Sequence, residues 1–402
     1  MKRFLLSALT GLVIVSGAMA ESIFSPLGNG MTVRHETARS VALAGSDAAL
    51  SDSIYFPLDN PAGWFNVGYT RYTASMNAVK INASDGNGKE TADDFTFPSM
   101  AFTMPIYRSL GLGFAYENVT DHEFLVYRYD TVTPENGDEA YDVTRRVQGT
   151  GGLARVSTNL AARIRPYLAV GLAMDYYFGK TERIWTLDFD SGDFYRSGEY
   201  LRNEFSGVGL RLGAVGFIGN HTQLAGVLEL PSNLNVHSKL TVQGGDSLNL
   251  GKSEYGLPFG GTLAAAWTKN RMRLTGSATL RQWGETSRDI GANDPYTSEY
   301  DISAGIARLP LRGPLDPWYQ KWIYRAGARM SQHYLEVNGN SMRTIGFAVG
   351  IGIPLRTHPG IFDISVTYDL RGSESENGAM EKILGLQIGF GSAERWFVRR
   401  ER

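Results

Sequence analysis

The stretch TIGFAVGIGIPL, residues 344–355, sets Ile345, Phe347, Val349, Ile351, Ile353 and Leu355 on one parity and Gly346, Ala348, Gly350 and Gly352 on the other. Successive side chains of a strand point to opposite faces, so this segment has one wholly apolar face and one nearly bare. A soluble half-buried strand carries polar groups outside. A strand against lipid turns its apolar face outward and leaves its other face to the barrel interior.

The pattern recurs. GIFDISVTYDL (360–370) sets Phe362, Ile364, Val366, Tyr368 and Leu370 against Asp363, Ser365, Thr367 and Asp369. PYLAVGLAMDYYF (166–178) sets Leu168, Val170, Leu172, Met174 and Tyr176 against Ala169, Gly171, Ala173 and Asp175. Fourteen such segments are readable, at 65–73, 96–106, 109–127, 141–162, 166–187, 199–218, 222–242, 255–268, 271–284, 297–309, 320–336, 342–355, 360–371 and 381–391. An even number of apolar-out, polar-in strands is the signature of a bacterial transmembrane β-barrel.

The connections alternate in kind. Tight basic or neutral turns, such as Arg163-Ile164-Arg165 and Lys269-Asn270, exchange with longer acidic stretches such as INASDGNGKETADDF and RGSESENGAME. That asymmetry fits periplasmic turns and external loops. LRGPLDPWYQ (311–320) is an exception, a long Pro-containing turn on the short side. Trp64, Trp267, Trp318, Trp322 and Trp396 fall at short-turn strand ends, and Trp185 and Trp283 near the long loops. Amphipathic rings at both levels are expected to form two interfacial girdles.

The ends and the composition narrow the class further. MKRFLLSALTGLVIVSGAMA has Lys2 and Arg3, a short apolar run and Ala18-Met19-Ala20. It reads as a secretory signal peptide over residues 1–20, too short in its apolar part to anchor the chain. Lys+Arg 39 against Asp+Glu 41 supplies no electrostatic case for nucleic acid. With Cys 0, disulfide and thiolate chemistry are excluded. The expected organisation is an all-β, 14-stranded antiparallel barrel over 65–391, preceded by a segment at 21–64 and followed by a basic aromatic tail at 392–402. Its expected location is the bacterial cell outer membrane.

Residues 21–64 lack strict alternation, hold a short helical stretch near 35–43, and end in Asn60-Pro61-Ala62-Gly63. So short a segment lacks a core of its own and is expected to dock inside the barrel. ARSVALAGSDAALSDSIYFPLDNPAG, residues 38–63, resembles the N-terminal plug of the long-chain fatty-acid transporter (FadL-type) outer-membrane family, through Arg39, Ser40, Gly45, Asp52, Asn60, Pro61, Ala62 and Gly63. The resemblance covers the whole chain in architecture and only the plug in motif. It implies a barrel closed by an N-terminal hatch, with hydrophobic substrates leaving sideways through a defect in the third strand. Gly111 and Gly113 on that strand's inward parity are the candidate bend.

The chain departs from that family in two ways: its loops are modest and acidic, and its inward face carries many charges. Asp175, Arg211, Glu229, Asp301, Asp363, Asp369 and Arg371 are expected to pair with one another or with the hatch, since buried charge persists when paired. Arg273, Arg281, Arg325 and Arg329, on neighbouring strands, are also candidate ligand contacts for a carboxylate headgroup.

Other motifs carry less. Gly245-Asp246-Ser247-Leu248 spells a lipase signature, but no Asp-x-x-His follows and these are ordinary turn residues. His35-Glu36 lacks the second His of a zinc helix, and His333 near Ser331 has no clustered partners. No cofactor, metal or catalytic group is implied, so the chain is not expected to be an enzyme. The expected activity is passive uptake of a hydrophobic or amphipathic small molecule, such as a long-chain fatty acid or an aromatic hydrocarbon. Expected partners are outer-membrane lipid and that ligand. The rivals are a polar-solute porin and a component of a protein secretion or surface-assembly system, which would bring protein partners.

Overall fold

The computed structural model describes residues 22–394, except 34–36, 53–55, 66–68, 87, 108, 134–139, 190–195, 287–288, 290–295, 312 and 356–358. The expected signal peptide, His35, His358, Trp396 and most of the C-terminal tail therefore lie outside the described residues.

Fourteen antiparallel strands close into one barrel. They are β1 (Thr70–Asp85), β2 (Lys89–Tyr107), β3 (Leu110–Asp121 continued by Phe124–Val132), β4 (Tyr141–Arg165), β5 (Leu168–Phe189), β6 (Ser197–Ile218), β7 (Thr222–Glu229 and Ser232–Val242) and β8 (Ser247–Leu257 and Gly260–Lys269). β9 (Met272–Arg281), β10 (Glu299–Arg308), β11 (Ile323–Val337), β12 (Asn340–Pro354), β13 (Gly360–Ser373) and β14 (Ala379–Glu394) complete the wall. Closure runs from Ala379↔Asp85 to Glu394↔Thr70, between β14 and β1. Pro231 and Pro258, which have no N–H for the ladder, stand between the two segments of β7 and of β8.

The belt of the barrel follows the parity rule. On β12 the outward residues Ile345, Phe347 and Val349 are exposed, while inward Ala348 is buried. Leu172, Met174 and Tyr176 on β5 and Leu384, Leu386 and Ile388 on β14 do the same at other points of the circumference. In water such a surface would be a large unburied apolar patch; in lipid it is the solvent-matched face. Among the described residues no helix is long and apolar enough to cross a membrane, which says nothing about strands.

Several sequence expectations are corrected in detail. β1 begins at Thr70 and runs to Asp85, and β2 begins at Lys89, so much of INASDGNGKETADDF is a paired hairpin rather than a loop. Above the lipid both faces of a strand meet water, so no alternation marks it. Trp64 and Trp283 are not girdle residues: both are buried inside the barrel, donating through Nε1 to Pro57 O at 2.8 Å and to Glu299 Oε2 at 2.8 Å. Trp267 and Trp318 are exposed at the short-turn end.

Candidate functional site

The described residues between 22 and 65 lie within the lumen and divide into two pieces. The lower piece sits toward the short turns. Its helix α1 (Ala38–Ala42) is capped by Thr37, whose hydroxyl accepts from the Ser40 N–H at 3.3 Å. It packs where the wall has no side chains: a Cβ on Gly350 would meet Ala42, one on Gly327 the Leu43 backbone, and one on Gly389 Ala38. The bare parity of TIGFAVGIGIPL is thus a socket, with Gly346 and Gly352 giving way to Arg329–Asp369 and Arg325–Asp363.

Asn60-Pro61-Ala62-Gly63 forms the second contact. Asn60 Nδ2 donates to Ala48 O at 2.9 Å, and the Ala62 N–H donates to Asn60 Oδ1 at 3.0 Å. This side chain therefore both starts the 3₁₀ turn Pro61–Phe65 and ties it to the preceding loop. Gly213 and Gly171 leave the space that Asn60 and Pro61-Ala62 fill, and Gly113 leaves the space for the Trp64 ring. Gly113 is in regular pairing with Thr103 and Asn159, while Gly111, paired with Pro105 and Ala161, sits beside a register shift between Pro105 and Tyr107 of the neighbouring strand. A second irregularity of the third strand lies higher, between Asn118 and Thr120.

The remaining hatch candidates are placed as follows. Gly45 follows α1 with φ +83, a left-handed conformation that favours glycine. Arg39, almost wholly buried, donates through Nη1 to Asp52 Oδ2 at 3.0 Å, and Arg273 Nη1 approaches the same oxygen at 3.7 Å. The other three candidate arginines hold carboxylates of the wall. Arg281 Nε and Nη2 grip Glu229 at 2.8 and 3.0 Å, with Nη1 on Glu299 at 3.3 Å. Arg325 meets Asp363 at 2.6 Å, and Arg329 is forked onto Asp369 at 3.1 and 2.8 Å. Arg211 binds Asp175 at 2.7 Å and reaches Leu58 O and Asp59 O at 3.2 Å each, fastening the segment to the wall.

The upper piece, residues 22–33, had no separate signal in the sequence. The Ser22 hydroxyl and the Ile23 N–H both donate to Glu381 Oε1 at 2.8 Å, and Arg371 holds the other carboxylate oxygen at 3.1 Å. Arg183 donates to Pro26 O at 2.8 Å and Tyr334 OH to Gly30 O at 2.5 Å. Phe24 and Met31 pack into a buried cluster with Phe205, Tyr255, Trp283 and Tyr334. The long-loop end of the lumen is therefore closed by the chain's own N-terminal residues.

Between the two pieces lies a cavity of about 500 Å³, bordered by Asn77, Asp94, Asn118, Asp121, Asp301 and Gln387 among others. It adjoins an irregular part of the wall. Pairing between β2 and β3 ends at Ser99↔Glu117, next to Pro98. Above it, among the described residues, β2 keeps β1 alone as partner, and Phe124–Val132 keeps β4 alone. The short inner strand Met31–Thr32 pairs with Thr120 and Asp121, and the Val33 N–H donates to Val119 O at 2.9 Å. Asp94, Asp121 and Glu123 bring carboxylate oxygens within 4.8 Å of one another at this gap. Sequence reasoning missed these residues; Pro98 inside a strand pattern was the available signal.

A family model described as BamG matches residues 1–401. The fold is similar to that of a FadL homologue from Pseudomonas aeruginosa, at 12% identity and a TM-score of 0.60, covering 91% of this chain and 99% of that one. It is also similar to the toluene transporter TbuX of Ralstonia pickettii (14% identity, TM-score 0.56, 91% and 99% covered) and to the toluene transporter TodX of P. putida (13%, 0.56, 92% and 99%). No curated protein matches the chain in sequence. The fold is that of the FadL-like outer-membrane channels, and its place is the bacterial outer membrane.

Proposed function

The chain belongs to the BamG family, and on that premise we propose that it is a non-enzymatic component of an outer-membrane protein secretion or assembly system, a sealed barrel that works through its wall rather than along its axis. The observation that carries this reading is that the N-terminal segment occupies both ends of the lumen. Residues 22–33 close the long-loop end, Asn60–Phe65 close the short-turn end, and the four candidate ligand arginines already hold carboxylates. A fatty acid entering the remaining cavity would meet Asp94, Asp121 and Asp301 together with Arg329 and Arg371, whose guanidinium groups already hold Asp369 and Glu381.

A second reading has one observation in its favour. The wall gap beside the cavity suits lateral passage of a hydrophobic or amphipathic small molecule, and the named relatives include toluene transporters. Depletion of the chain in its own cells separates the two. The first reading expects other barrel proteins and surface proteins to fall in the outer membrane, by quantitative proteomics, with oleate and toluene uptake unchanged. Loss of uptake with an unaltered outer-membrane proteome would favour the second.

A further inference from the structure

Toward the short turns, the outward parity changes character on β8, β9, β10 and β11. Trp267, Leu274 and Ile306, level with one another by register, are exposed and apolar. Two residues nearer the turns on the same parity stand Lys269, Met272 and Arg308, again level and exposed, with Tyr324 beyond Arg308. Lys269 and Arg308 are thus two strand spacings apart, about 10 Å, with uncharged Met272 between them. Lys321 lies on the far side, at the end of the 3₁₀ turn Trp318–Lys321 that leads into β11.

The two turns that carry these cations are braced against each other. Arg271 donates through Nε to Leu309 O at 3.0 Å and through Nη2 to Gln320 O at 3.3 Å. Within the second turn the Leu311 N–H donates to Gln320 O at 2.8 Å and Lys321 Nζ to Pro314 O at 3.1 Å. Carbonyls take these bonds, so the positive charges are held in place without being neutralised. Residues 267–273 and 306–322 contain a single acid, Asp316, and its carboxylate accepts from the Gly313 N–H at 2.6 Å. Among the described residues, none of Lys269, Arg271, Arg308 and Lys321 forms a salt bridge.

We propose that this patch binds an anionic phospholipid of the periplasmic leaflet, its phosphate seated over Met272 between Lys269 and Arg308, with Lys321 beside it. Lipid is the occupant because the patch continues the lipid-facing belt on the same parity, one step beyond its last apolar row. That is headgroup height, where basic side chains on an apolar stem reach the polar layer. Trp318 and Tyr319, 61% and 48% exposed, set amphipathic rings of the interfacial kind next to Lys321. An anionic headgroup supplies the charge that the turns lack: a guanidinium takes phosphate through two parallel bonds, and an ammonium takes it as a point charge.

The site lies on the outer face, uses none of the groups that hold the N-terminal segment or border the cavity, and stands independently of the assembly reading. The probe is phosphatidylglycerol, titrated against the purified full chain in neutral detergent and read by native mass spectrometry, with phosphatidylcholine as the zwitterionic control. The first phosphatidylglycerol is expected to bind about tenfold or more tighter than phosphatidylcholine. K269Q/R308Q/K321Q should bring the two lipids level while keeping the heat-dependent gel shift of a folded barrel. R165Q, which removes an exposed cation from the β4–β5 turn, should leave the preference unchanged. Millimolar inorganic phosphate should not displace the lipid. Equal affinity for the two lipids, or a triple variant that keeps the parent's preference, would overturn the proposal. So would an equal loss from R165Q, which would show an unlocalised attraction, and displacement by phosphate, which would show a small-anion site rather than a lipid site.

Discussion

Arg325 and Asp363 sit 2.6 Å apart with side chains 3% exposed each, a charge pair taken out of water inside the barrel. Cutting one partner leaves the other as an uncompensated buried charge. R325M is expected to destabilise the barrel by about 3–5 kcal/mol, measured by urea unfolding in lipid vesicles, and R325M/D363L to recover most of that loss. Gly113 makes a different point. Its absent side chain is the seat of the Trp64 ring, so G113V forces either the strand or the 3₁₀ turn aside. A cost of about 1–3 kcal/mol is expected, with new protease cleavage between Pro57 and Phe65. Asn60 ties the turn by both ends of its amide, and N60A is expected to loosen it by about 1–3 kcal/mol in the same assay.

At the scale of the element, the N-terminal segment is held by few but well-placed acceptors. Glu381, itself wholly buried, receives the Ser22 hydroxyl, the Ile23 N–H and Arg371. E381A removes all three at once, and amide exchange over residues 22–33 is expected to accelerate about tenfold or more while β14 stays protected. Unchanged exchange would mean the aromatic cluster around Trp283 and Tyr334 alone holds this piece. The element scale is also where sequence reading ran out. The alternation of Leu172, Met174 and Tyr176 with Ala169, Gly171 and Ala173 is enforced by lipid on one side and packed lumen on the other, so β5 was legible. Lys89–Asp94 has water on one face and a polar cavity on the other, so nothing marked it as strand. Ser22–Val33 is neither alternating nor helical; its position depends on partners more than 80 residues away in sequence, such as Asp121, Arg183 and Glu381.

For the whole molecule, the barrel and its occupant are one folding problem. Inward glycines on β5, β6, β11, β12 and β14 are matched by backbone or small side chains of residues 38–44 and 60–62, and Gly113 on β3 by the Trp64 ring. The Asn-Pro-Ala-Gly turn was legible as a docking motif, and its receptors were visible as bare parities, but which glycine receives which residue depends on strand stagger. The wall gap is a consequence of stagger too: β2 and β3 part at Ser99 and Glu117, and Pro98 beside that point marks a break in pairing without saying how far the strands separate. The central claim is that the chain's own N-terminal residues close this barrel along its axis. Planar-bilayer recording of the purified full chain tests it most directly. The account predicts no steady ion conductance through the intact protein; a stable, open conductance from the unmodified chain would contradict it.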